Sequence, residues 1–307
     1  MMWLVPLLLA TVDSASLALP VAPAETLHVT VTGSGEPVVL IPGLFGSAFG
    51  FRKLIPLLSA AGCRTIVIEP LGIGASGRPE RADYSLTAQA DRIAAALDTL
   101  GVAHAIIVAH SVGASMAYRL AYRRPDLVRA IVSLEGGPAE AAATPSFRRA
   151  MRFVPWIKWF GGIRRIRGKI KSSLVASSGD TSWVTDSVVD AYTAGAAANL
   201  DGTLKAFLRM ADAEERERLA PHLGAIHCPV RLLIGTAPHQ GGVPLGDVDE
   251  LRAGLPSLSI DSVPASGHYI YEEQPDAVLA AVMASAPASP TGPGRSQSRT
   301  VGTHAAP

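Results

Sequence analysis

Apolar and polar positions along this chain switch between two periods. Leu27 to Thr32 alternates at period two, as a half-buried strand does, and Gly33-Ser34-Gly35 turns it. Val38 to Ile41 is a continuous apolar run, which predicts a strand covered on both faces. Phe51 to Ala61 then reads as helix and Arg64 to Ile68 as strand. From Ser85 the period becomes helical: Leu86, Ala90, Ile93, Ala94, Leu97 and Leu100 share a face, and Gly101 ends it. A strand follows over Ala105 to Ala109, then a helix over Ala114 to Arg124 stopped by Pro125, then a strand over Ala130 to Leu134. After residue 221 the alternation resumes, with strands at Val230 to Ile234 and Ser259 to Val263 and a helix at Pro275 to Ala284. Strands alternating with helices at this spacing predict parallel βαβ units, hence an α/β fold with a mostly parallel, doubly wound sheet.

Composition refines this without redirecting it. The chain has 307 residues, 48% of them hydrophobic, and a formal net charge of +1. That suits one large α/β domain carrying an insertion, and near-neutral charge argues against a nucleic-acid binder. The expected organisation is an apolar N-terminal segment over 1–26, a core over 27–138 and 222–285, a helical insertion over 139–221 and a disordered tail over 286–307. Trp3 to Ala10 is too short to span a bilayer. It also makes a poor signal peptide, since no Lys or Arg precedes Arg52 and Asp13 interrupts the apolar stretch, so a cytoplasmic location is favoured over secretion. Cys63 and Cys228 read as reduced core thiols, and no CxxC or Cys/His spacing calls for a metal.

The candidate chemistry collects at the carboxyl ends of the strands, where sites form in such sheets. Ala109-His110-Ser111-Val112-Gly113 sits at a strand-to-helix junction in the pattern small-x-Ser-x-Gly. A serine on so tight a turn projects its hydroxyl outward, and the next N–H, from Val112, points at charge developing beside it. The plainer reading is a helix N-cap. Pro42-Gly43-Leu44-Phe45-Gly46-Ser47 is a Gly-rich loop straight after a core strand, able to bring N–H groups near a ligand. Glu69 to Gly77 formally contains GxGxxG, but Gly77-Arg78-Pro79 opens no helix, so it is no dinucleotide fingerprint and no cofactor is implied. Glu135 ends the strand after the serine's helix, and its plainer role is to cap the Gly136-Gly137 amides.

Taken in order, Val38 to Ser47, Glu69 to Gly77, Ala109 to Gly113 and Ala265-Ser266-Gly267-His268 through Asp276 resemble the α/β-hydrolase superfamily over residues 28–138 and 222–284. The resemblance is to single-domain serine esterases, haloperoxidase-like enzymes and C–C hydrolases. Haloalkane dehalogenases and epoxide hydrolases are similar too, but use Asp where Ser111 stands. The resemblance implies Ser111 as nucleophile, His268 as general base and the Leu44 and Val112 amides as an oxyanion hole. His239, in a Gly/Pro-rich loop, is the rival base. The acid departs from the family pattern, because residues 235–244 hold no carboxylate. Glu135 is the first choice to orient His268, and Asp247 and Asp249 are the alternatives.

The implied activity is hydrolysis of hydrophobic carboxylic esters through an acyl-enzyme. C–C hydrolysis, acyl transfer, perhydrolysis and non-catalytic ligand binding are the alternatives. Residues 139–221 suit a helical lid, with Phe45, His110, Trp156 and Trp159 lining the pocket. Phe147 to Lys171 holds nine Lys/Arg, no acid and interleaved aromatics. It reads as a lid helix with cations facing water, or as a contact with an anionic membrane surface.

Overall fold

The computed structural model describes residues 14–142, 148–149 and 162–286. Eight strands form one sheet: β1 Ser14–Ala22, β2 Glu25–Thr32, β3 Glu36–Ile41, β4 Cys63–Glu69, β5 Ala105–His110, β6 Val128–Leu134, β7 Val230–Gly235 and β8 Leu258–Val263. Their spatial order is β1-β2-β4-β3-β5-β6-β7-β8. β2 runs antiparallel to β1 and β4, and every other pair is parallel. The helices between strands are α1 Leu54–Ala60, α2 Leu86–Thr99, α3 Val112–Arg123, α4 Gly162–Ala176, α5 Asp186–Ala198, α6 Leu200–Asp212, α7 Leu245–Gly254, α8 Ile270–Glu273 and α9 Pro275–Ser285.

The continuous apolar runs have a simple cause: both faces of the sheet are covered. On β3 and β5, Val39, Ile41, Ile107 and Ala109 join one buried cluster with Leu86, Ile93 and Leu97 of α2 and Met116 and Leu120 of α3. Their neighbours Val38, Leu40, Ile106 and Val108 join the opposite cluster with Leu54 and Leu58 of α1 and Val278 and Val282 of α9. Burying a Val, Leu or Ile side chain stabilises by roughly 1.5–3 kcal/mol, so these central strands anchor whatever their ends carry.

One boundary differs from the sequence reading. Residues 14–22, assigned to the segment before the core, are β1, paired in register with β2 from Ser14–Thr32 to Ala22–Glu25. Ser16 Oγ lies 2.7 Å from His28 Nε2, and His28 Nδ1 lies 3.0 Å from Glu69 Oε2. Glu69 is buried and also accepts the Ala48 and Ala75 amides, at 2.7 and 2.6 Å.

Between β6 and β7 the described residues hold the helices α4, α5 and α6. Arg119 of α3, fully buried, fastens the start of this insertion through the Ala139 carbonyl (3.0 Å) and Glu140 (2.8 Å). Glu215 fastens its far side by accepting from the Leu86 and Thr87 amides at the start of α2. The loop after β4 packs beneath these helices, with Gly72 against Met210 and Ala206 and Gly74 against Gly195. Its glycines are thus accounted for by close packing. Residues 1–13, most of 143–161 and the tail from 287 lie outside the described residues, and with them the apolar N-terminal run, Trp156 and Trp159. Of the basic stretch, residues 148–149 and 162–171 are described, and Arg167 and Lys171 pair with Asp190 and Asp186 of α5. Cys63 and Cys228 are free thiols. Among the described residues, no helix is long and apolar enough to cross a membrane.

Candidate active site

β5 ends at His110 and α3 begins at Val112, so a single residue makes the reversal. That residue, Ser111, takes φ 53° and ψ −125°, a backbone region that L side chains rarely enter. Such strain persists only where the surroundings over-determine it, and here they do. A Cβ on Gly113 would lie 2.9 Å from the Ile41 and Pro42 carbonyl oxygens, and one on Gly136 would lie 2.3 Å from Ala114 Cβ and 2.7 Å from the Ser111 carbonyl. The sequence's small residues at these positions are what let three backbone segments meet. Gly43 brings the loop after β3 against the elbow: a Cβ there would lie 3.1 Å from Ser111 Cβ and 3.0 Å from His110 Nδ1. Among the described residues Ser111 Oγ makes no hydrogen bond. Val112 is the first residue of α3, so its N–H has no partner within the helix.

His268 sits in the loop after β8, behind the positive-φ Ala265. Its backbone is pinned twice: its N–H donates to the Ser177 carbonyl (2.8 Å), and its carbonyl lies 3.0 Å from His110 Nε2. Its ring packs on His110 (centroids 4.5 Å) and Tyr269 (5.4 Å), with Trp183 edge-on to Tyr269. Burial pushes the imidazole down to about 4, and charge on His239 acts in the same direction. His268 is therefore neutral, the form able to accept a proton, throughout the physiological range.

Glu135 is buried at the end of β6 with φ 50°. It accepts the Gly235 amide (2.5 Å) and the Val243 amide (3.1 Å), so its capping role is across to the loop after β7, not to Gly136-Gly137. Burial raises its carboxyl above the usual range, against the pull of those amides and His239. Ligand-type atoms of Glu135, His239 and His268 all lie within 4.8 Å of one another. The alternatives go elsewhere. Asp247 is lodged against Gly137, whose Cβ position is 2.6 Å from its carboxylate, and Asp249 is exposed beside Arg252 (3.3 Å).

Two expected pocket residues are described, and they differ. Phe45 is partly exposed and meets Phe207 of α6 edge-on at 5.3 Å. His110, expected beside the substrate, is instead buried behind the elbow, where it holds the His268 loop through that loop's carbonyl. His239 is the residue the sequence reading set aside as a rival base. It occupies the loop after β7 in which an acid was sought, which is the signal that could have placed it in the cluster. A separate surface cavity of about 680 Å³, lined by Tyr84, Lys205 and Arg209 among others, shares no residue with the elbow.

The strand order, the serine at the β5–α3 turn and the histidine after the last strand define an α/β-hydrolase fold. A model described as alpha/beta hydrolase fold matches residues 36–165, in agreement with that fold. It is similar to 2-(acetamidomethylene)succinate hydrolase of Mesorhizobium japonicum, with 26% identity over 279 residues, 84% of this chain and 90% of that one. It is also similar to the sn-1-specific diacylglycerol lipase ABHD11 of Mus musculus, 28% identical over 256 residues, 80% and 79% of the two chains. Among solved structures, 2-hydroxy-6-oxo-6-phenylhexa-2,4-dienoate hydrolase from Rhodococcus sp. strain RHA1 superposes with a TM-score of 0.72 at 19% identity, over 90% of this chain and 99% of that one. These relatives are hydrolases.

Proposed function

We propose that the chain is a serine hydrolase that cleaves carboxylic esters of hydrophobic small molecules through an acyl-enzyme. The observation that carries this reading is the strained Ser111, set at the head of α3 against the Gly43 loop, with a buried, neutral His268 packed on the adjacent His110. Ser111 Oγ attacks the acyl carbon while His268 takes its proton, since serine is inert without a base. The tetrahedral oxygen gains negative charge and is met by the Leu44 and Val112 N–H groups. Collapse expels the alcohol, which takes the proton back from His268, and water repeats the sequence to release the acid. Glu135 holds the imidazole's tautomer and stabilises the imidazolium that forms transiently. The helices of the insertion act as a lid, with Phe45 and Phe207 on its inner border.

A fluorophosphonate probe tests the reading directly. Wild type is expected to label covalently and Ser111→Ala not at all. Equal labelling of the two, or none in a well-folded wild type, sinks it.

A further inference from the structure

Two buried ring nitrogens beside Glu135, one on His239 and one on His268, have no hydrogen-bond partner among the described residues. His239 Nδ1 lies 2.7 Å from the Ala237 carbonyl, which can only accept, so Nδ1 carries the ring's proton. Its Nε2 faces Glu135 Oε1 at 3.6 Å without a hydrogen bond. His268 Nδ1, on a third side, is also buried without a partner. Three side chains able to ligate a metal converge in a space nearly closed to solvent, the side chains of His239 and Glu135 being 7% and 0% exposed and His268 8%. The backbone of Gly241 and Gly242 roofs it. A Cβ on Gly242 would lie 3.1 Å from His239 Nε2 and 3.7 Å from Glu135 Oε2.

We propose that Glu135, His239 and His268 form a binding site for a divalent transition metal of the zinc type, and that filling it switches the enzyme off. Two imidazoles and one carboxylate suit zinc or cobalt and do not suit magnesium or calcium, which take oxygen ligands. Tetrahedral bonds of ~2.0–2.1 Å set ligand atoms roughly 3.4 Å apart, so the present cluster closes on an ion by small side-chain rotations. The inhibitory part rests on the function proposed above and follows from the imidazole's two nitrogens. A metal on His268 Nδ1 leaves only Nε2 to carry the ring's proton. An Nε2–H cannot accept the proton of Ser111, so the base is blocked while the elbow and its N–H groups are untouched. No electron transfer is involved: the ion exchanges waters for the three ligands, the Nδ1–H bond of the catalytic tautomer is broken, and the ring's remaining proton is carried on Nε2.

The test uses the chelator-stripped full chain. Zn²⁺ is titrated against a chromophoric chelator, Co²⁺ binding is read from visible d–d bands, and p-nitrophenyl ester turnover is followed in parallel. Wild type is expected to take up one equivalent of Zn²⁺, to colour with Co²⁺ and to lose turnover over the same Zn²⁺ range, with Mg²⁺ inert. His239→Asn keeps a donor to the Ala237 carbonyl but lacks the ligand nitrogen, and should weaken uptake by about 10-fold or more, the loss seen when metal-site partners are removed. Gly242→Ala should weaken it too, by placing a methyl in the gap while leaving every ligand in place. His222→Ala, a surface histidine beside Glu217, should bind as wild type does. Failure of wild type to take up stoichiometric metal, or uptake unchanged in both His239→Asn and Gly242→Ala, overturns the site. Uptake that leaves ester turnover intact overturns the switch. Uptake by a wild type with no ester turnover keeps the site and overturns the hydrolase reading instead.

Discussion

Ser16, His28 and Glu69 are the better connected of two serine–histidine–glutamate sets in this molecule, with contacts of 2.7 and 3.0 Å. In the other set Ser111 Oγ is unbonded, and Glu135 meets His239 before it meets His268. Connectivity alone would choose the first set, yet its serine is exposed on an edge strand, in ordinary extended backbone. Among the described residues no helix begins directly after Ser16. Both carboxylates are held by backbone amides, those of Ala48 and Ala75 for Glu69 and of Gly235 and Val243 for Glu135. The difference lies at the serine: Ser111 holds a strained backbone at the head of α3, while Ser16 is exposed on an edge strand. Stabilising charge as it develops is worth more than joining ground-state groups.

The largest expected contrast is at the two serines. Ser111→Ala should lower kcat/KM for a p-nitrophenyl ester by about 10⁴-fold or more, while Ser16→Ala leaves it as in wild type. A loss at Ser16 in steady-state assays would break the comparison. Next come the carboxylates. Glu135→Gln should reduce kcat by roughly 10²–10⁴-fold by disturbing the imidazole's tautomer. Glu69→Gln should leave kcat near wild type and cost about 1–3 kcal/mol in thermal or urea unfolding, through the weakened ties to Ala48, Ala75 and His28. If Asp247→Asn removes activity and Glu135→Gln does not, the acid is misassigned.

The smallest contrast is in pH, and its sign is opposite in the two sets. The His268 imidazole is held down to about 4, below the ordinary 6.5. Its share of stability is present above pH 6.5 and is lost as pH falls towards 4, and the acid limb of kcat/KM should lie near pH 4. His28 is raised above 6.5, chiefly by its bond to Glu69. Its share is complete below pH 6.5 and is lost as pH rises through the raised value. Urea midpoints of His28→Gln and wild type across pH 5 to 9 should converge at the alkaline end.

The core strands were legible because a parallel sheet covered on both faces writes itself as uninterrupted apolar runs. The elbow was legible because the strand-to-helix reversal at Ser111 demands small neighbours, and Glu135 because it ends the next strand. β1 was not, since an edge strand with one open face leaves Leu17 exposed and blurs into the apolar run before it. α7 escaped because Gly246, Asp247 and Asp249 give it only a narrow apolar face, Val248 and Leu251. The part played by His239 depends on where the loop after β7 folds back, a long-range fact that no local pattern carries. His110 was misjudged for the same reason: adjacency to Ser111 in sequence says little about which side of the turn a ring occupies.

One carboxylate deserves a last consequence. Glu273 receives the amides of Gly179 and Asp180, at the exit of α4, together with that of Gly267 beside the histidine. The turn after α4 and the His268 loop are therefore a single joint. A change in the length of the segment upstream of Ser177 would leave that joint, and the register of His268, as they are: the socket is fixed whatever is attached before it.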